Sequence, residues 1–182
     1  MRMAVIDGTT VINIIEAREG FDLSGFTVVP AGNANIGDKY IDGVFSLPPE
    51  SLDELRRKKV DAVCSKWESV LSGGFTVPVD LSATLGGRVL QTRESDRAAW
   101  LTSQAAYQAA VTAGQGSVEG ARFRPLDNMT TIVSYAEGLN VVLAMAAWGK
   151  NVYARSWELK DEISAADAST LDSIDVESGW PE

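Results

Sequence analysis

Residues 127–163, DNMTTIVSYAEGLNVVLAMAAWGKNVYARSWELKDEI, decide the fold of this chain. Apolar side chains recur there at helical spacing, which predicts one long helix that is capped by Asp127 or Asn128 and ends at about Ile163. At 1.5 Å per residue the helix would be on the order of 50 Å long. One apolar stripe contains Ile132, Ala136, Leu139, Leu143, Ala146, Tyr153 and Trp157, and a neighbouring one contains Tyr135, Val142, Met145, Gly149 and Val152.

Two stripes on one helix indicate that its middle is covered on most sides. The helix is then either the central element of a monomeric bundle or the element through which copies of the chain meet around a symmetry axis, and the residues leave both open. Gly138 and Gly149 each cost roughly 1 kcal/mol relative to alanine inside a helix. We therefore expect another backbone to approach closely at both glycines.

Two further helices are predicted upstream, and a short one downstream. Ser51 and Glu54 form a capping box, and the helix that they begin ends at Gly73-Gly74. Acidic residues at 94 and 96 mark the start of a helix that runs to Gly114. Its apolar set is Trp100, Leu101, Ala105, Tyr107 and Val111. A last short helix is expected from about Asp167 to Ser173.

Short strands are predicted between these helices and before them. Residues 75–77, 88–92 and 121–124 are expected to form a small three-stranded sheet. Near the N-terminus, residues 11–15 and 26–29 are rich in branched side chains, which favour strands. Asp42-Gly43 separates residues 39–41 from 44–46, which is the strongest short-range signal for a β-hairpin.

The sequence thus predicts an α+β fold. Residues 1–49 are a small β-rich module that ends in the hairpin, and Pro48-Pro49 stiffens its exit. Residues 50–182 are a mainly helical α+β domain with the long C-terminal helix and the small three-stranded sheet.

The charge of the chain limits its partners. Asp and Glu total 25 against 16 Lys and Arg, a formal net charge of −9, which argues against binding to nucleic acid or to an anionic membrane surface. The one basic run, residues 56–59, is interpreted as a solvated helix face. The richest apolar window, residues 139–148, is far shorter than a membrane span, so no membrane insertion is expected. The N-terminus shows no signal peptide, which indicates synthesis in the cytoplasm.

No residue is predicted to be catalytic, to bind a cofactor or to hold a metal. Histidine is absent and Cys64 is the single cysteine, which removes the commonest general base and any internal disulfide. Nucleophile-elbow and phosphate-loop motifs are absent. A facing pair of carboxylates, as in glycosidases, stays open. The five tryptophans could form a sugar-binding platform, but Trp67, Trp100 and Trp148 lie on apolar helix faces and are interpreted as core.

The C-terminal stretch IDVESGWP, residues 174–181, has a large ring close to the chain end. Gly179 gives the backbone the freedom to turn the indole of Trp180 inward. We expect Trp180 to fasten the C-terminus onto the helical domain as a clasp, with Pro181 limiting the exit.

Several of these segments together resemble a known family. They are IGDKYIDGVFSLPP (36–49), RRKKVDAV (56–63), FTVP (75–78), GGRVLQTRESDRAAW (86–100), the long Ala-rich helix, and IDVESGWP. Their order and spacing are similar to those of domain-of-unknown-function proteins that are encoded in the tail-fibre regions of tailed phages and prophages. The resemblance is strongest over residues 57–97 and 129–181. The loop 79–87 and the connection 114–120 depart from the family pattern.

The resemblance implies a virion structural component of the distal tail or tail-fibre apparatus, which binds other tail proteins. The protein would be made in the bacterial cytoplasm and end in the tail of the virion. The alternatives are a tail-fibre assembly chaperone and a module that binds host-surface glycans. The resemblance brings no catalytic residue.

Overall fold

The computed structural model, which describes every residue from Met1 to Glu182, has an α+β fold. The chain divides into two units, Met1–Ser51 and Leu52–Glu182. The first contains strands and turns, whereas the second contains three α-helices and two small sheets. The predicted fold class is confirmed.

The first unit is a five-stranded antiparallel sheet. Its strands are β1 (Arg2–Asp7), β2 (Thr10–Glu16), β3 (Thr27–Pro30), β4 (Lys39–Ile41) and β5 (Val44–Ser46), in the order β3-β1-β2-β4-β5. Asp42 and Gly43 join β4 to β5 with φ of 51° and 82°. Both turn residues therefore have the positive φ that a two-residue hairpin needs, and the predicted hairpin is confirmed.

The second unit is built around its longest helix. The helices are α1 (Leu52–Gly73), α2 (Glu94–Thr112) and α3 (Tyr135–Ala165). Both α1 and α2 pack along α3, whose side chains enter two hydrophobic clusters. The larger cluster includes Met145 and Trp148, and the smaller one includes Leu159 and Ile163. Within this chain α3 is the central element of a bundle.

The helix α3 starts later than predicted, because residues 131–134 form a strand. In this strand, β9 (Thr131–Ser134), Thr131 and Val133 are buried and Ile132 is exposed. That alternation has the period of a strand and not of a helix. The helix begins instead at Tyr135 and is capped by Ser134, whose hydroxyl accepts a hydrogen bond from the Glu137 amide at 3.3 Å.

Asp127 does not cap a helix; it pairs with Arg88. Its two carboxylate oxygens accept hydrogen bonds from Arg88 Nε at 3.0 Å and Nη2 at 2.8 Å. The Met129 amide donates to the same carboxylate at 2.9 Å. The hydrogen bond from Arg88, followed by that from the Met129 amide, lowers the pKa of Asp127. Asn128, the other predicted cap, lies in a turn with a φ of 61°.

The predicted three-stranded sheet is two separate two-stranded sheets. The strand β6 (Phe75–Thr76) pairs with β7 (Val89–Leu90), and β8 (Glu119–Phe123) pairs with β9. The sequence analysis did not predict the second sheet, because the strand that pairs with β8 lies in residues 131–134, which it placed in the long helix. One backbone hydrogen bond, from Leu126 N to Val89 O at 2.8 Å, joins the segment after β8 to β7.

The basic run at the start of α1 is not simply a solvated face. Arg56 donates to the carbonyl of Ala166 at 2.6 Å, and Lys59 donates to that of Ile174 at 2.9 Å. Further along α1, Lys66 pairs with Glu177 at 2.9 Å. The cations of α1 thus hold the acidic C-terminal segment in place.

That segment turns back on the helices and ends in the clasp. A 3₁₀ turn, Leu171–Ser173, replaces the short helix that was predicted from Asp167. The half-buried Trp180 packs against both hydrophobic clusters and donates from Nε1 to Val176 O at 2.9 Å. Gly179 has a φ of 76°, and Trp148 Nε1 donates to Pro181 O at 3.3 Å. The predicted inward turn of Trp180 onto the helical unit is confirmed, although the ring is half-buried and not fully buried.

Candidate functional site

The second unit has a groove between α2 and α3. Its cavity volume is about 250 Å³. Side chains from the N-terminal half of α2 and the middle of α3 form its two sides, and Leu71 of α1 also lines it. Its lining residues include Arg97, Trp100, Leu101, Met145, Lys150 and Tyr153. We call this feature the α2–α3 groove.

Beside the groove, α3 presents an exposed and largely apolar face, which shares Ala146, Lys150 and Tyr153 with the groove lining. Leu143, Lys150 and Trp157 are seven residues apart and therefore lie above one another on the helix. Leu143 is 43% exposed and Trp157 is 61% exposed. These positions belong to the first predicted stripe, which was expected to be covered. The prediction was wrong at Leu143, Ala146 and Trp157, which are exposed, whereas Tyr153 is half-buried and its ring packs against Trp67.

The α2 side of the groove has a fixed wall and an exposed rim. The Trp100 ring stacks on Phe123 with centroids 5.6 Å apart, and its Nε1 donates to Gln91 O at 2.8 Å. Ring stacking and a satisfied N–H hold this indole in one orientation. Next to it, Leu101 is 68% exposed. The groove therefore combines a rigid aromatic wall with an apolar side chain that is open to solvent.

Arg97 places a positive charge inside the groove. Its Nε donates to Thr92 O at 3.1 Å and its Nη1 donates to the Tyr153 hydroxyl at 3.3 Å. A guanidinium has five N–H donors, so three of them have no partner within the chain. Lys150, on the opposite side, is exposed and forms no ion pair. The groove is therefore electropositive in a chain of net charge −9.

The lack of a carboxylate beside Arg97 distinguishes it from the other half-buried arginines of this unit. Arg56 lies 3.7 Å from the Asp53 carboxylate, Arg88 lies 2.8 Å from that of Asp127, and Arg155 lies 3.6 Å from that of Glu158. Arg97 is held only by neutral oxygens.

The two glycines of α3 differ in their surroundings. A Cβ atom added at Gly138 would overlap the Cβ of Ala121 on β8, so a close approach occurs there, although the nearest atoms belong to side chains and not to a backbone. A Cβ added at Gly149 would meet nothing within 4 Å. The close approach predicted at Gly149 is not provided by this chain, and Gly149 instead lines the α2–α3 groove.

The tryptophans are placed largely as expected. Trp148 is 8% exposed within the larger cluster, and Trp67 and Trp100 pack against that cluster. The exposed ring is that of Trp157, with the Tyr153 ring 6.2 Å away. Trp157 thus extends the apolar surface of the groove toward the end of α3.

The helical unit has a polar contact outside the groove, between Ser82 and Glu137. No group of three or more Cys, Asp or Glu side chains is arranged to hold a metal ion. The buried Ser82 hydroxyl donates to the Glu137 carboxylate and accepts from the Leu85 amide, so it fastens the loop before β7 to the first turn of α3. None of the helices has the length and apolarity needed to cross a membrane.

A family model, described as a domain of unknown function (DUF4376), matches residues 54–178. The chain belongs to the DUF4376 family. The DUF4376 match includes α2, α3 and all but the first two residues of α1, so the α2–α3 groove lies within it. The five-stranded unit precedes it, and Trp180 lies just after it. No curated protein and no solved structure matches the chain.

One signal of the groove is visible in the sequence. Lys150 interrupts an apolar stripe whose members otherwise repeat every three or four residues. A charged residue in such a position is exposed or paired, so it marks a part of the stripe that the chain itself does not cover. Arg97 had no comparable signal, because its lack of a carboxylate partner is a property of the tertiary structure.

Proposed function

We propose that this protein is a structural component of a phage or prophage tail, in the distal tail or tail-fibre apparatus, and that it acts by binding other tail proteins and not as an enzyme. The order and spacing of its sequence segments resemble those of tail-fibre-region proteins, which supports the tail assignment. The observation that carries the binding role is the open apolar face of α3 together with the α2–α3 groove beside it.

The exposed apolar side chains of this face are grouped on one surface, which indicates an interaction site. Single exposed apolar side chains are ordinary on protein surfaces, whereas apolar patches mark sites of interaction. Here Leu101 and Trp157 are more than half exposed, and they flank a cavity walled by Trp100 and Met145. Covering such side chains would contribute roughly 25 cal/mol for each Å² of apolar surface removed from water.

The first unit carries a separate group of exposed apolar residues. Ile41, Val44 and Leu47 are 55%, 66% and 80% exposed, at the β4–β5 hairpin and just after it. The strand β5 is also an edge strand, whose unpaired backbone groups can accept a strand of another chain. Each unit therefore has its own candidate contact surface, which suits a component that touches two neighbours.

In this proposal the protein is made in the bacterial cytoplasm and resides in the virion tail. Its partners are other tail or tail-fibre proteins, with self-association through α3 as a further possibility. Nucleic acid is not a partner, because the net charge of −9 opposes it.

Mass spectrometry of purified particles tests the proposal. We expect peptides of this chain in gradient-purified particles, in a constant ratio to other tail proteins across fractions. An abundant host cytoplasmic protein serves as the control for contamination. Presence in the lysate together with absence from particles would overturn the structural role and favour the assembly chaperone.

A further inference from the structure

We infer that the α2–α3 groove receives an amphipathic helix from another tail protein, and that an acidic side chain of this helix pairs with Arg97 and Lys150. The inference rests on the proposed function and deepens it, because it specifies the chemistry of the partner.

The shape of the open face favours a helix as its occupant. From Leu143 to Trp157 the face extends over 14 residues, about 21 Å of helix. Its members follow the alternating spacing of three and four residues that lets a second helix pack alongside. The cavity of about 250 Å³ is smaller than the roughly 300 to 1,000 Å³ of pockets for drug-sized ligands. It suits the side chains of a docked helix better than a free small molecule.

The positive charges of the groove indicate that the docked helix has an acidic side chain. Lys150 lies midway along the open face, seven residues from each end. Arg97 holds unpaired N–H donors next to Tyr153, between apolar walls that would exclude water once a partner docked. A cation covered without a counter-charge is costly, whereas a carboxylate that accepts from a guanidinium compensates for the desolvation. An Asp or Glu side chain at the level of Lys150 meets this requirement.

The same charges disfavour a second copy of this chain as the occupant. A two-fold axis at the centre of the open face would bring Lys150 against Lys150 of the other copy, because such an interface is made of the same surface twice. Like charges juxtaposed at an interface are unfavourable. The second copy is therefore an outcome to be tested and not the inference.

Photo-crosslinking in cells that produce all tail proteins tests the inference. We would place p-benzoylphenylalanine at Leu101, which lines the groove on α2, or at Leu143, on the exposed face of α3 beside it, and identify the adducts by mass spectrometry. Arg122, which is exposed on β8, is the matched control position. We expect the probes at Leu101 and at Leu143 to crosslink to one segment of another tail protein, helical in character and containing Asp or Glu. The control position should not reach that segment.

Charge exchange then tests the predicted pairing. We expect the double substitution Arg97→Glu with Lys150→Glu to reduce the Leu143 adduct at least tenfold. Replacing the acidic residue of the identified helix by lysine should restore it. The control is Arg124→Glu, an exposed position outside the groove, which should leave the adduct unchanged. Equal melting temperatures of the variants would show that the fold is retained.

Failure of this inference can be distinguished from failure of the proposed function. The inference would be overturned by adducts with a second copy of this chain, or by adducts with a segment that is not helical or lacks acidic residues. It would also be overturned if neither Leu101 nor Leu143 gave an adduct. If the chain is nevertheless present in particles, the tail function stands. If the chain is absent from particles, the structural role fails whatever the groove binds.

Discussion

At the scale of single residues, Gly138 and Gly149 show how one residue type acquires two roles within one helix. Both weaken α3 in isolation, by roughly 1 kcal/mol each relative to alanine. At Gly138 the neighbouring β8 occupies the space that a side chain would need, whereas the space beside Gly149 is open. The sequence predicted a close approach at both because helical propensity is local, whereas the neighbour of a glycine is set by tertiary packing.

The two glycines therefore provide a matched pair of variants. We expect Gly149→Ala to raise the free energy of unfolding by up to about 1 kcal/mol, because it gains helix propensity without a clash. We expect Gly138→Ala to lower it by about 1 to 2 kcal/mol, because overlap with Ala121 outweighs that gain. Urea denaturation followed by circular dichroism measures both. Changes of the same sign would contradict the described packing of α3.

Asp167 predicts a dependence of stability on pH. Its carboxylate accepts hydrogen bonds from the hydroxyl and amide groups of Ser169 and Thr170, which lower its pKa from 3.8 to about 2. Since the folded pKa lies below the ordinary value, the stabilisation is complete above about pH 4 and is lost as the pH falls toward 2. We expect Asp167→Ala to lower the melting temperature at pH 6 and to have a smaller effect at pH 2.5. Thermal melts at both pH values test this; an equal effect at both would exclude the charge as the cause.

At the scale of secondary-structure elements, the C-terminal segment is held by the cations of α1 and by apolar side chains, of which Trp180 is the largest. Trp180 packs on both clusters, yet it is only half-buried. We expect Trp180→Ala to cost about 2 kcal/mol, roughly half of what a fully buried tryptophan costs. This corresponds to a fall in melting temperature of about 4 to 8 °C, measured by differential scanning calorimetry. Trp157→Ala, at the exposed ring, is the control and should change stability by less than about 0.5 kcal/mol. Equal losses from the two variants would argue against the clasp.

The elements that could be predicted from sequence are those with local determinants. Asp42-Gly43 defines its own turn, and the capping and glycine signals around α1 bound that helix closely. Residues 131–134 were misassigned because Ile132 and Ser134 fit a helical period as well as they fit an alternating one. Pairing with β8 decided between the two, and strand pairing is not visible in a single short segment.

At the scale of the whole molecule, the two units differ in how much core each contains. The sheet unit buries a small cluster that includes Ala4, Ile6, Val11 and Ala31, whereas the helical unit has two clusters, the larger of which contains several aromatic side chains. We expect a fragment of residues 50–182 to unfold cooperatively on its own. A fragment of residues 1–49 should be marginal, because so short a chain buries too little surface. Calorimetry of the two fragments checks the predicted domain division, and a fragment 50–182 without a cooperative transition would refute it.

The α2–α3 groove could be predicted only in part. The spacing of Leu143, Lys150 and Trp157 was present in the sequence, but whether that stripe is covered depends on where α2 packs. Arg97 and Tyr153 are 56 residues apart in the chain and meet only through the packing of α2 on α3. A site that two distant helices assemble has no local motif.

The positions of Trp100, Trp148 and Trp157 give the chain its own optical reporter. The first two line the groove and the third stands exposed beside it. An indole in water emits at longer wavelength than one surrounded by apolar groups. A helix that covers Trp157 would therefore shift the ultraviolet emission of the protein to shorter wavelength, and docking could be followed in solution without a label. The variant Trp157→Phe would show which part of the signal comes from the exposed ring.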